Sequence, residues 1–151
     1  VEVLLQHGAD VLVHLGDVGT VEVIDALAVA RPGNGQMEAH LVFGNTDWDR
    51  DALAEYAAGL GLWVDDPLGR IALEEGELAF CHGHEEQLLQ QAMAQRVRYL
   101  CHGHTHRASD VRRGPTRVIN PGALFRAQSY TVALLDTAHD ALAFYPVAEH
   151  C

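Results

Sequence analysis

The sequence predicts an α/β domain in which helices pack outside two facing β-sheets. Two observations carry this. The first half alternates short apolar runs with helical segments, whereas the part after His106 breaks into short strand patterns. No linker or low-complexity segment separates the halves, and 151 residues with 48% hydrophobic content bury one substantial core, so residues 1–151 are expected to form a single domain.

Each element has its own signal. Residues 1–8 read as the last turns of a helix, with Gly8 as its C-terminal cap. Residues 11–15 form an apolar strand. Residues 20–30 form a helix with Thr20 as N-cap and Glu22 in its first turn, ended by Arg31-Pro32-Gly33. A loop over 32–36 leads to a strand over 39–43. Residues 49–59 are Ala-rich and helical until Gly59 and Gly61 break the pattern. Strands over 70–74 and 77–81 flank the hairpin turn Glu75-Gly76. A helix over 85–95 carries two acids in its first turn, and a strand over 99–101 follows. Short strands over 108–112, 117–119, 130–135 and 141–146 complete the chain.

Composition excludes several partners. A formal net charge of −11, from 10 basic and 21 acidic residues, offers no basic stripe for long nucleic acids. A small phosphate ester stays open, because bound divalent cations reverse the local sign of a site. No apolar stretch approaches the roughly 20 residues that span a bilayer, so no membrane partner is expected. Three cysteines without a framework suggest a reducing, cytoplasmic setting. Cys81 and Cys101 are expected to pack as small apolar residues, a soft-metal site being the sharper reading; Cys151 is incidental. A homo-oligomer is compatible with these bounds.

The chemistry gathers in glycine-flanked strings. Five of the ten histidines fall in Cys81-His82-Gly83-His84 and Cys101-His102-Gly103-His104-Thr105-His106, each after an apolar run. His14-Leu15-Gly16-Asp17 and Phe43-Gly44-Asn45-Thr46-Asp47 likewise follow apolar runs. Imidazoles placed where strands enter glycine turns can converge on a transition metal. Asp17 alone reads as a turn or N-cap residue, Gly44-Asn45 alone as a turn, and His82 or His84 alone as a surface or core histidine. Together, four strand ends deliver Asp, Asn, His and His-x-His, the pattern of a metal-dependent hydrolase. His102, His104 and His106 would share one face by period 2 in an extended segment, so spacing alone does not separate them.

This combination resembles the calcineurin-like metallophosphoesterases, in particular their small bacterial and archaeal phosphodiesterase branch. The matching motifs are Gly16-Asp17, Gly44-Asn45-Thr46-Asp47, His82-Gly83-His84, Gly103-His104-Thr105-His106 and Asn120-Pro121-Gly122. The resemblance implies a four-layer α-β-β-α fold with two facing mixed sheets and a binuclear centre at the sheet ends. Asp17 would bridge two divalent transition-metal ions. Asn45, His82 and His104 would complete one site, and His106 would ligate the other metal. Asp17, Asn45, His82 and His104 would thus be the catalytic set, with Thr46, Asp47 and His84 supporting it or touching substrate. His102 falls at a position the family leaves variable, and Asn120-Pro121-Gly122 would be a supporting turn. Mixed nitrogen and oxygen donors suit Mn, taken first, or Ni, Fe, Co or Zn. The implied activity is a phosphodiesterase in which metal-bound hydroxide, its water acidified from about 15.7 toward 7, attacks a small phosphate ester in line.

Two departures accompany the resemblance. Larger members carry a histidine where this chain has Thr46, which cannot donate a proton from an imidazolium, so good leaving groups are expected to be favoured. The family also opens with a strand ending in Asp-x-His that ligates the second metal, and nothing before Asp17 matches it; Asp10 precedes its strand. The helix in progress at Val1 suggests an N-terminally truncated domain lacking its first strand, with impaired activity. Trp48 could stack on an aryl or nucleoside group, although a core or rim position is the plainer reading. The alternative function is a catalytically weak interaction scaffold, as in the retromer subunit that resembles this family; it would show an exposed apolar patch. A plain zinc-binding domain would leave Asp17 and Asn45 without a role.

Overall fold

Side chains alternate across a strand with period 2, and that alternation divides the core. In β1 (Val11–Leu15) and β2 (Glu38–Val42), Leu12, Ala39 and Leu41 turn to one face and Val13, Leu15 and Val42 to the other. The first set packs on Ile24 and Leu27 of α2 (Val21–Leu27) and on Leu53 and Ala57 of α3 (Arg50–Gly59). The second set packs on Leu78, Phe80, Tyr99 and Ile119 of another sheet. The structure, a computed structural model, describes residues 1–29, 35 and 37–148.

That second sheet has the order β4-β5-β6-β8-β7, from β4 (Leu68–Leu73), β5 (Gly76–Cys81), β6 (Tyr99–His102), β7 (Ser109–Arg113) and β8 (Thr116–Asn120). Its three central strands are parallel and its two edges antiparallel. Ala79, Leu100 and Val97 on its outer side meet Ala92 of α4 (Glu86–Ala94). The layers are therefore α-β-β-α, as expected.

The two facing sheets differ from expectation: only the five-stranded one is mixed. The first sheet, β1-β2-β3 with β3 (Trp63–Val64), is parallel throughout. Helices α2 and α3 make the crossovers, which return each strand in the same direction. β3 has two residues and no sequence signal. The helix expected over 20–30 closes at Leu27, and the loop expected over 32–36 lies outside the described residues except for position 35. Residues 2–6 form α1 (Glu2–Gln6), and Gly8 turns the chain at φ +80°. Among the described residues no helix is long and apolar enough to cross a membrane.

The last two strands, β9 (Thr131–Asp136) and β10 (Ala141–Pro146), pair with each other as a separate antiparallel hairpin. β1 and β9 each end their own sheet. A largely apolar cavity of about 500 Å³ borders both, lined by Val13, Leu15, Leu78 and Cys101 together with Leu135 and Leu142. Polar ties hold the hairpin down. Arg117 Nη1 and Tyr99 OH both donate to Asp140 Oδ1, at 2.8 and 3.0 Å, and Thr131 Oγ1 donates to the Pro121 carbonyl at 2.7 Å.

Candidate metal centre

β1 is parallel to β2, and β5 to β6, and the segments leaving their C-terminal ends meet at one rim, where sites in α/β folds are built. His82, at the end of β5, is the hub. Its Nδ1 lies 2.7 Å from the Leu15 carbonyl, an acceptor, so that nitrogen carries the proton. In the neutral ring Nε2 then presents a lone pair. Around Nε2 stand Asn45 Oδ1 at 3.1 Å, His104 Nδ1 at 3.3 Å and Asp17 Oδ1 at 3.5 Å.

The oxygens of Asn45 and Asp17 can accept a proton from Nε2 or share a cation with its lone pair. Separations of just over 3 Å are also those between neighbouring donors each about 2.0–2.2 Å from one ion. This donor set fits a divalent metal. Among the described residues no group of three or more His, Cys, Asp or Glu is by itself arranged to hold a metal ion. The fit here depends on the Asn45 amide and on donors radiating from a single atom.

Close backbone approach makes the cluster possible. A Cβ at Gly16 would lie 2.6 Å from His82 Nδ1 and 2.8 Å from the Gly44 nitrogen, and one at Gly44 would collide with the Asp17 carboxylate. Asp17, His104 and His106 all adopt positive φ, at 54°, 62° and 56°. Such strain in non-glycine residues collects at functional sites.

The remaining residues fall around this hub. His84 is exposed, its ring 5.2 Å from that of His82 and 6.1 Å from that of His104. His102 turns away, its Nδ1 3.1 Å from the Gly103 carbonyl. His106 is not drawn into the hub: its Nδ1 faces the Arg126 carbonyl at 3.3 Å, and among the described residues no hydrogen bond joins it to Asp17. Thr46 donates its backbone N–H to Asp17 Oδ1 at 3.1 Å. Trp48 is exposed rather than core.

A model of the calcineurin-like phosphoesterase superfamily domain matches residues 1–140. The chain belongs to that superfamily. Comparison with the curated proteins gives no significant match. Among solved structures, an archaeal phosphodiesterase is 21% identical with a TM-score of 0.82, over 97% of this chain and 88% of that one. YfcE, a phosphoesterase from E. coli, is 24% identical with a TM-score of 0.66, over 97% and 89%. Vps29 from Entamoeba histolytica is 19% identical with a TM-score of 0.61, over 98% and 90%. At these identities the likeness is one of fold.

In this phosphoesterase domain the charges favour cation-binding forms. Burial alone would raise the Asp17 pKa, but hydrogen bonds from Thr46 outweigh it, joined by His82 and His104 when those rings carry charge, and hold the carboxyl below its usual range. Burial lowers the pKa of His104, as do His82 and His84, which keeps its ring neutral. Burial pushes the thiols of Cys81 and Cys101 up to about 11 and about 12. They are protonated packing residues, as the plainer reading held.

Asp47 has a role its sequence position hardly discloses. Buried, it accepts the backbone N–H groups of Val18 at 3.1 Å, Gly19 at 2.7 Å and Gly44 at 2.7 Å, tying the Asp17 loop to the Asn45 loop. Arg50 braces the same turn through the carbonyls of Gly44 and Asp47, and Asp66 receives the Phe43 N–H. Asn120 does the corresponding work for His104. Its Nδ2 donates to the Gly103 carbonyl at 2.8 Å and Thr105 Oγ1 at 3.0 Å, while its Oδ1 accepts from Gly122 N. The Gly-Asn-x-Asp and Asn-Pro-Gly strings were the available signals; nothing in the sequence marked Arg50 or Asp66.

Proposed function

We propose that this chain hydrolyses small phosphodiesters at a divalent metal centre. The observation that supports it best is the convergence of Asn45, His104 and Asp17 on the lone-pair nitrogen of His82. Asp17, Asn45, His82 and His104 would hold one cation, with Mn the first choice, and Asp17 with His106 would contribute to a second. Such ions, when bound, acidify water and neutralise charge on phosphoryl oxygens.

The chain's own residues prepare that chemistry. The Leu15 carbonyl fixes the tautomer and orientation of His82, a restraint that also raises ligand basicity. Hydrogen bonds from Thr46 lower the Asp17 pKa against the opposing effect of burial. Asp47 and Asn120 fix the loops, so little reorganisation accompanies binding. His84, exposed beside His82 and His104, would hold a substrate oxygen. Thr46 brings no imidazolium to a leaving group, so esters of acidic alcohols are expected to react fastest.

The test is hydrolysis of bis(p-nitrophenyl) phosphate with Mn supplied, beside metal content per chain. Activity abolished by EDTA and by His82→Ala supports the reading; activity unchanged by both excludes it. An interaction scaffold is the second reading, kept because Vps29 shares the fold. It predicts metal binding without turnover.

A further inference from the structure

Exposed apolar side chains are common singly, and three of the most exposed here fall on loops that carry or touch candidate site residues. Among the described residues four large ones are more than half exposed: Trp48 at 91%, Phe125 at 66%, Trp63 at 61% and Leu124 at 56%. Three of these sit on two loops that supply the site's surroundings. Trp48 is three residues beyond Asn45 on the β2–α3 loop. Leu124 and Phe125 precede Arg126, whose carbonyl faces His106. The Arg126 guanidinium lies over the Phe125 ring, 5.0 Å from its centroid, so a cation stands at the rim of a chain whose net charge is −11.

The Trp48 loop is braced at its base. Asp47 gathers three backbone N–H groups beneath it, and Arg50 Nη2 donates to the Gly44 carbonyl at 2.8 Å while Nη1 meets Asp66 Oδ2 at 3.3 Å. An indole carried into water from so fixed a base loses little freedom when it stacks on a ligand. Three residues span at most about 10–11 Å between Cα atoms, a distance that an aryl or nucleoside arm and an indole can bridge when the phosphoryl end is held by Asn45 and its neighbours.

We propose that Trp48 is a specificity-determining residue that stacks on a planar aromatic arm of the phosphate ester, an aryl or nucleoside group, with the Leu124–Phe125 loop as a further apolar wall. This rests on the phosphodiesterase reading for its chemistry, but its binding consequence can be measured without turnover. The arm takes no part in bond breaking; stacking lowers KM for esters that carry it.

Two diesters with the same leaving group isolate the arm: bis(p-nitrophenyl) phosphate retains an aryl group and ethyl p-nitrophenyl phosphate an alkyl one. With Mn supplied, the native chain favours the aryl ester through KM. Trp48→Ala shrinks that preference about tenfold, the scale of one aromatic stack, and Trp48→Phe restores part of it. Trp63→Ala, a change at the other tryptophan, leaves the preference intact. Equal losses on both esters in Trp48→Ala overturn the proposal. If neither ester turns over, the hydrolase reading fails and binding still decides Trp48. In a Trp63→Phe background with the same metal present, adenosine 5′-monophosphate should quench the single remaining indole and bind about tenfold tighter than ribose 5-phosphate. Equal affinities, or no binding of either, overturn the role assigned to Trp48.

Discussion

Gly16 and His82 leave no room between them for a methyl group: a Cβ at position 16 would lie 2.6 Å from His82 Nδ1, the nitrogen that binds the Leu15 carbonyl. Gly16 also has φ +91°, which an L side chain rarely adopts. Gly16→Ala should therefore turn the imaginary contact into a displaced imidazole. We expect a loss of about 1–3 kcal/mol in stability and at least a tenfold loss in metal affinity. Urea unfolding and competitive metal titration check both, and a variant that unfolds normally yet binds metal as before would contradict the packing argument.

The Asp47 carboxylate supports two loops at once. Asp47→Asn exchanges one accepting oxygen for a donor that faces backbone N–H groups. The expected cost is about 1–3 kcal/mol, the range for burying a donor without its partner, with weaker metal binding because Asp17 and Asn45 lose their common anchor. The comparison is thermal midpoint and metal affinity against His84→Ala, which should leave the midpoint nearly unchanged.

Metal content should distinguish the histidines. His82→Ala and His104→Ala are expected to abolish tight binding, and His102→Ala to leave it nearly intact. His106→Ala should lower only a second, weaker equivalent. Residues 1–151 should retain about one tight divalent ion per chain after dialysis, because four donors surround one position. Emission spectrometry of dialysed protein measures this; equal losses for His102 and His106 variants would contradict the assignment.

His14 supplies a pH signature. Its Nδ1 is buried without a hydrogen-bond partner, and burial, with help from His82, lowers its pKa despite the opposing pull of Asp47 and Asp17. The unfolded chain takes up the proton near the ordinary value of about 6.5, whereas the folded ring resists it. Stability from this residue is therefore complete above that value and is lost as pH falls below it, toward the lowered folded pKa. With EDTA present, the unfolding free energy from urea titrations should drop between pH 7.5 and 5.5, with a slope of at most about 1.4 kcal/mol per pH unit from one histidine. His14→Leu should make the drop shallower; an unchanged slope would remove His14 from the account.

Much of the site was legible because its donors stand where apolar strands give way to glycine, at Gly16, Gly44, Gly83 and Gly103. Other features depended on distant contacts. Nothing near Arg50 announces that it braces the Gly44 carbonyl, and two-residue β3 exists only because β2 offers an edge. Period 2 could not part His102 from His104; the left-handed backbone at His104 and His106 does so by ending the extended chain. The expectation of two mixed sheets came from the resemblance, whereas the helices expected between the first strands already imply the parallel sheet that is found.

The β9–β10 hairpin reaches further than its place in the fold suggests. Thr131 grips the Pro121 carbonyl, Asn120 beside it grips Gly103 and Thr105, and that turn carries His104. With the apolar cavity next to β9, the hairpin is a natural first unit to breathe away from the domain. Each such excursion would relax the loop that aims His104. Cation escape should then keep time with amide exchange in β9, faster when Thr131→Val cuts the tie to Pro121, even though no atom of the hairpin stands among the proposed donors.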